Sequence, residues 1–308
     1  MPAAWPYPFK LGVVLEEIDH DPARSLPFAH ELGMTHVEFG SLGGQSVAEV
    51  PEERLQEMRR QLAAHGLQVV MVGPSTFKTL YLGHLSLAEI GQDPHLRAEM
   101  ATMARVMAAA RFFGAPLARI FSFRREGMAG LGNPSPRLPG GGEIPLAMLE
   151  RLRKALGSIC ELAERMDVLL GLENVRSCWA NSGLNTRRIV EAVGSPRLKV
   201  VWDPANAYVS GEEAAYPAGY EAVRPYVAHV HLKDARLLDA ATGLTCWERI
   251  GDGAVDYRGQ MAALRADGFW GAVSVETHYQ PPGKTPAEAT RLSTEGLRRV
   301  LALLEAEP

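Results

Sequence analysis

The stretch from Val168 to Asp203, VLLGLENVRSCWANSGLNTRRIVEAVGSPRLKVVWD, decides the fold. It opens on a near-continuous apolar run, Val168–Glu173, and closes on another, Lys199–Asp203. Strands apolar on both faces belong to parallel sheets covered on both sides. Between them Thr186–Val193 reads as an amphipathic helix, and the return through GSPRL at Gly194–Leu198 is short. Strand, helix and parallel strand make one βαβ unit.

Working outward, the unit repeats. Further strands are expected at Leu11–Leu15, His36–Phe39, Gln68–Val72, Ala118–Ser122, Ala228–Lys233 and Ala272–Glu276. Amphipathic helices are expected at Glu52–His65, Leu96–Phe113, Leu146–Met166, Asp256–Asp267 and Pro286–Glu305. In Leu146–Met166 the residues Leu149, Leu152, Leu156, Ile159 and Leu162 recur at helical spacing. Eight such units in 308 residues favour one closed (β/α)₈ barrel spanning residues 1–308 over an open doubly wound sheet.

Connection lengths polarise this barrel. Helix-to-strand joins such as HGLQ at His65–Gln68 and MD at Met166–Asp167 are short. Strand-to-helix joins are long: Gly73–Pro94, Phe123–Pro145, Asp234–Val255 and Thr277–Thr285. In this architecture the loops after the strands build the site. Phe123–Pro145, with six Gly and four Pro beside Arg124, Arg125 and Arg137, reads as a mobile lid or as a tolerated surface insertion. The WPYPF segment at Trp5–Phe9 is expected to cover the bottom of the barrel.

Composition narrows the function classes. The formal net charge of −4 argues against a nucleic-acid footprint. No apolar run approaches the roughly 20 residues of a membrane span, and the N-terminus lacks a basic region followed by an apolar one. Cys160, Cys178 and Cys246 form no CxxC pair, which points to a reduced, cytoplasmic protein. Tyr7, Phe9, Tyr81 and Leu82 are candidates for a homo-oligomer contact or for packing.

The chemistry gathers at strand ends. Strand five ends in Glu173, strand six in Asp203, strand seven carries His229 and His231, and strand eight ends in Glu276 followed by His278. Residues two apart on a strand share a face, so His229 and His231 point the same way at different depths. Carboxylates converging at the top of a barrel repel and raise one another's pKa. A divalent cation removes that problem, and three carboxylates with one imidazole suit Mn²⁺, Mg²⁺ or Co²⁺, with Zn²⁺ also compatible.

GLENV, VWDPANA, HVHLKD and VSVETH resemble the xylose isomerase-like barrel superfamily of sugar isomerases and epimerases. The resemblance implies that Glu173, Asp203, His231 and Glu276 are the ligands of one metal ion. It implies that Glu173 and Glu276 are the catalytic pair, one taking a proton from the carbon beside a carbonyl and the other returning one. The metal of such enzymes stabilises the enediolate. The implied activity is isomerisation or epimerisation of a sugar, keto-sugar or inosose, or alternatively an inosose-dehydratase-like lyase reaction on the same metal site.

Other residues are candidates for the substrate. Lys233 suits a hydroxyl or carboxylate, while Asp234 suits capping of the following loop. His229 reads as a substrate contact or as a buried support. Arg176 and Asn174 follow Glu173, and Arg249 precedes the Gly251–Gly253 turn and suits an anion. Glu38 ends strand two, and Trp202 reads as core packing. Many ketose 3-epimerases carry a His where this chain has Asn206, which alters a proton shuttle or substrate contact. The histidines that apurinic endonucleases need for further metals are missing from GPSTF and ARIFSF, so DNA repair is not expected. A catalytically silent barrel would require a broken ligand set, and the set is intact.

Overall fold

Eight parallel strands close on themselves. They are β1 (Lys10–Val14), β2 (His36–Phe39), β3 (Gln68–Val72), β4 (Leu117–Ile120), β5 (Leu169–Glu173), β6 (Leu198–Trp202), β7 (Val227–Leu232) and β8 (Ala272–Val275). Neighbours in sequence are neighbours in the barrel, and β8 pairs with β1 in the register Lys10↔Ala272 to Val13↔Val275. The computed structural model describes residues 7–129 and 133–306. The chain is thus a single (β/α)₈ barrel, as the repeated βαβ unit implied.

The outer layer holds α1 (Pro22–Glu31), α2 (Glu52–Ala64), α3 (Pro94–Phe113), α4 (Leu146–Met166), α5 (Gly183–Val193), α6 (Pro204–Ser210), α7 (Tyr257–Ala266) and α8 (Pro286–Glu305). Local chemistry sets their ends. Asp93 caps α3 by accepting from Leu96 N at 2.8 Å, with Pro94 at the first turn, and Gly114 at φ +68° closes it. Thr285 and Glu288 form a reciprocal capping box on α8. Two helices stand outside the expected set. In α1, Pro27 interrupts the apolar stripe, and α6 is only seven residues long.

Strand periodicity fills the barrel in layers. A Cβ on Gly171 would meet Val201, Met71 and Leu117, so all four face inward. The next residue on the same face of each strand stands one layer higher. Gly171 is followed by Glu173, Leu117 by Arg119, Val201 by Asp203 and His229 by His231. A layer of Gly171, Leu117 and Val201 with His229 among them therefore lies under a charged layer at the C-terminal mouth.

Two small features modify the picture. Asp234–Asp239 and Leu244–Glu248 pair as an antiparallel hairpin inside the long Asp234–Val255 join. The described parts of Phe123–Pro145 are fastened down: Arg125 donates to Gly141 O at 2.6 Å and Glu143 O at 3.0 Å, and Leu138 N donates to Ser210 O. A free lid is not what these contacts describe. Tyr7 and Phe9 stack at 5.1 Å, and Tyr7 donates to Leu301 O. Trp5 and Pro6 of the same segment lie outside the described residues. Tyr7, Phe9 and Leu82 are buried, which removes them as surface contacts, while Tyr81 is exposed.

Candidate metal centre

Four strand ends bring Glu173, Asp203, His231 and Glu276 to one point, with one ligand atom from each within 4.8 Å of all the others. All four side chains are buried. His231 Nδ1 lies 3.4 Å from Glu173 Oε1 and 3.3 Å from Glu276 Oε2, yet makes no hydrogen bond.

The sequence after each strand fixes these groups. Asn174 and Asp203 lock β5 to β6 reciprocally: Asn174 Nδ2 donates to Asp203 O at 2.7 Å, and Asp203 N donates to Asn174 Oδ1 at 2.8 Å. Asp203 also caps α6 through Asn206 N, which aims its second oxygen at the ring. Asn206 Nδ2 donates to Asp203 Oδ2 at 2.8 Å and Glu173 Oε1 at 3.2 Å. Asn206 thus orients two of the carboxylates.

Cations surround the ring. Lys233 Nζ lies 2.8 Å from Asp203 Oδ2 and also pairs with Glu276 Oε2. The Tyr257 hydroxyl bonds both backbone groups of Lys233 and so holds it in place. Arg119 Nη1 lies 2.9 Å from Glu173 Oε2 and 3.8 Å from Glu276 Oε1, and Nη2 donates to Gly73 O. Sequence reading passed over Arg119 because it sits within β4 rather than at its end. Its signal was a single charge inside an apolar strand, which is rare without a partner.

Electrostatics follow from this crowding. Burial, with Glu276 adding to it, pushes Glu173 up, but Arg119 and His231 together overcome it and hold the carboxyl at about 2. Glu276 is likewise held well below the usual range, burial being overcome by Lys233 and His231. Burial, with Glu276 and Glu173 adding to it, lifts Asp203 to about 6 against the pull of Lys233. Burial would lower His231, but Glu38, Glu276 and Glu173 hold it well above the ordinary imidazole value.

These residues fit a divalent ion. Buried carboxylates need charge compensation. The carboxylates of Glu38, Glu173, Asp203 and Glu276 face Lys233, Arg119 and the His231 imidazole. A divalent ion taking His231 Nδ1 would replace the extra imidazole proton as the balancing charge. The unbonded Nδ1 of His231 and three hard oxygens are the donor set such an ion takes.

Beside the ring lies a cavity of about 370 Å³, lined among others by Glu16, Glu17, Glu38, Arg119 and Glu276. Glu17 meets His278 Nε2 at 3.3 Å, and the pair borders Glu276. Burial, with Glu276 nearby, raises Glu17 to about 7. Trp247 of the hairpin packs edge-on to His278 at 5.3 Å and lies 5.7 Å from Lys233 Nζ. Glu17 and Trp247 carried no sequence signal, since neither ends a barrel strand.

The remaining candidates separate. Lys233 and Asn206 contact the ring directly. His229 stands one layer below it and bonds Glu38. Arg176 is buried and donates to Asn133 O at 2.8 Å. Arg249 pairs with Asp252 at 2.7 Å, and none of its described contacts reaches the ring. Asp234 accepts from Gly251, Gly253 and Val255 N and so holds the turn that Arg249 precedes. Trp202 packs outward and donates to Gln260 at 2.9 Å.

The sequence profile of the xylose isomerase-like TIM barrel family matches residues 26–300. The chain belongs to that family. Solved structures of xylose isomerase-like barrels share its fold at low identity. The apo 3-keto-D-glucoside 4-epimerase YcjR from E. coli is 18% identical, with 94% of this chain and 99% of that one aligned and a TM-score of 0.67. The IOLI protein with a bound zinc atom is 17% identical, with 96% and 99% aligned and a TM-score of 0.70. The probable 3-DHS dehydratase AsbF from Bacillus anthracis is 16% identical, with 94% and 99% aligned and a TM-score of 0.67. No curated protein matches by sequence. Among the described residues no helix is long and apolar enough to cross a membrane.

Proposed function

We propose that this xylose isomerase-like barrel is a divalent-metal-dependent isomerase or epimerase of a sugar, keto-sugar or inosose. One observation carries the reading: Glu173, Asp203, His231 and Glu276 present their ligand atoms within 4.8 Å of one another beside a sugar-sized cavity. They would hold Mn²⁺, Mg²⁺, Co²⁺ or Zn²⁺, and IOLI with its zinc atom shows that a related barrel accepts such an ion. When bound, the ion supplies Lewis-acid polarisation of substrate oxygens.

The chain's own residues do the rest. Glu173 and Glu276 are both ionised at neutral pH, so each is an acceptor for a proton on the carbon next to a carbonyl. Arg119 pins Glu173 and Lys233 pins Glu276, which holds both carboxylates in place, Glu276 at the cavity wall. Lys233, held between Asp203 and Glu276, would offer its ammonium to a substrate hydroxyl. Cys160, Cys178 and Cys246 are unpaired, in keeping with work in a reducing cytoplasm.

The test is NMR in D₂O on protein supplied with Mg²⁺ or Mn²⁺ and offered ketoses, aldoses, 3-keto sugars and inososes. Deuterium α to a carbonyl in an otherwise isomeric product is expected. Glu173→Gln and Glu276→Gln should each slow that exchange by about 10²–10⁴-fold. Loss of water from the product would move the assignment to the dehydratase reading. Full exchange in either variant would refute the paired roles.

A further inference from the structure

We propose that Glu38 is the positioning residue of this centre, turning His231 so that Nδ1 is the atom offered to a divalent ion. The inference rests on the metal-centre reading above. Glu38 stands on β2, on the interior face of the barrel, and only 2% of it is exposed. Both of its oxygens are used. Oε1 lies 3.1 Å from His229 Nε2, and Oε2 lies 3.1 Å from His231 Nε2. The two rings stand perpendicular with centroids 5.2 Å apart, one layer above the other on β7.

A carboxylate only accepts, so each ring nitrogen facing Glu38 carries its proton. That leaves Nδ1 of His231 directed at Glu173 Oε1 and Glu276 Oε2, without a hydrogen bond of its own. An imidazole anchored through one N–H to a carboxylate has its other nitrogen fixed in place and made more basic toward a metal. The lower ring has a part in this. One bond would let the Glu38 carboxyl rotate, whereas bonds at both oxygens lock its plane. His229 therefore acts on the centre through Glu38, not by touching the ring of ligands.

The alternative is that Glu38 merely supplies buried charge. The two are separated by protein labelled with ¹⁵N-histidine and loaded with Zn²⁺, read by long-range ¹H–¹⁵N correlation and assigned with His231→Gln. Zinc on His231 Nδ1, with a slowly exchanging proton on Nε2, is expected. In Glu38→Gln, which can accept through one oxygen only, Zn²⁺ affinity should fall about 10–100-fold, and the Nε2 proton should exchange faster. Zinc on Nε2, or wild-type affinity and an unchanged His231 spectrum in Glu38→Gln, overturns the inference alone. Wild-type protein that takes up neither Zn²⁺ nor Mn²⁺ overturns the metal-centre reading and this inference with it.

Discussion

Lys233 Nζ lies 2.8 Å from Asp203 Oδ2 and shares Glu276 Oε2, so a permanent cation occupies two of the carboxylates that would hold a metal. Removing it should free those oxygens. A unit charge about 4 Å away is worth several kcal/mol at a protein-like dielectric. Lys233→Met is therefore expected to bind Mn²⁺ at least about tenfold more tightly, measured by chelator competition. Weaker binding would show that the hold of Lys233 on the carboxylates outweighs its competition for them.

The cavity beside the ring should reject anions. Glu16, Glu17, Glu38 and Glu276 line it, and its Arg119 is already engaged by Glu173 and Gly73 O. Arg124 and Arg125 donate to backbone carbonyls, and Arg249 pairs with Asp252. A phosphate there would meet like charge, and the arginines named are already engaged. A free sugar is expected to exceed its phosphate ester by about a hundredfold in kcat/KM, like-charge juxtaposition costing several kcal/mol. Equal values for the pair would mean that the phosphate lies outside this cavity.

Acid should destabilise the fold through His36. Burial, with Lys10 nearby, holds its pKa down at about 4, against 6.5 in an unfolded chain. Between those values the unfolded state binds the extra proton, so stability falls as pH drops from 6.5 toward 4 and changes no further from this group below that. The full loss is up to about 3 kcal/mol. Urea midpoints at pH 7 and pH 4.5 should therefore differ less in His36→Asn than in wild type.

Gly253 should tolerate no side chain. A Cβ there would collide with Asp234 Oδ1, the carboxylate that gathers Gly251, Gly253 and Val255 N. Gly253→Ala is expected to cost about 1–3 kcal/mol by overpacking, read as a fall in Tm. An unchanged Tm would show that the turn relaxes without strain.

Much of the fold was legible because its cause is local. Val168–Glu173 and Lys199–Asp203 had to be buried on both faces, and GSPRL was too short to do anything but return the chain to a parallel strand. His36–Phe39, Gln68–Val72 and Leu146–Met166 have the bounds that their apolar pattern implied. The hairpin at Asp234–Asp239 and Leu244–Glu248 escaped notice because its strands are half-exposed and lack a clean alternation. Helix α1 escaped because Pro27 hides its period.

By itself the sequence determined the eight βαβ units, and with them the convergence of Glu173, Asp203, His231 and Glu276, since each sits at the end of a strand. Only the tertiary structure decided what crosses the barrel: Glu38 bonding His229 and His231 from 191 and 193 residues away, Arg119 reaching Glu173, and Lys233 reaching Asp203. The reason is physical. Periodicity states which face a residue occupies, whereas the partner it meets across the interior depends on strand tilt and register, which are fixed only when the barrel closes.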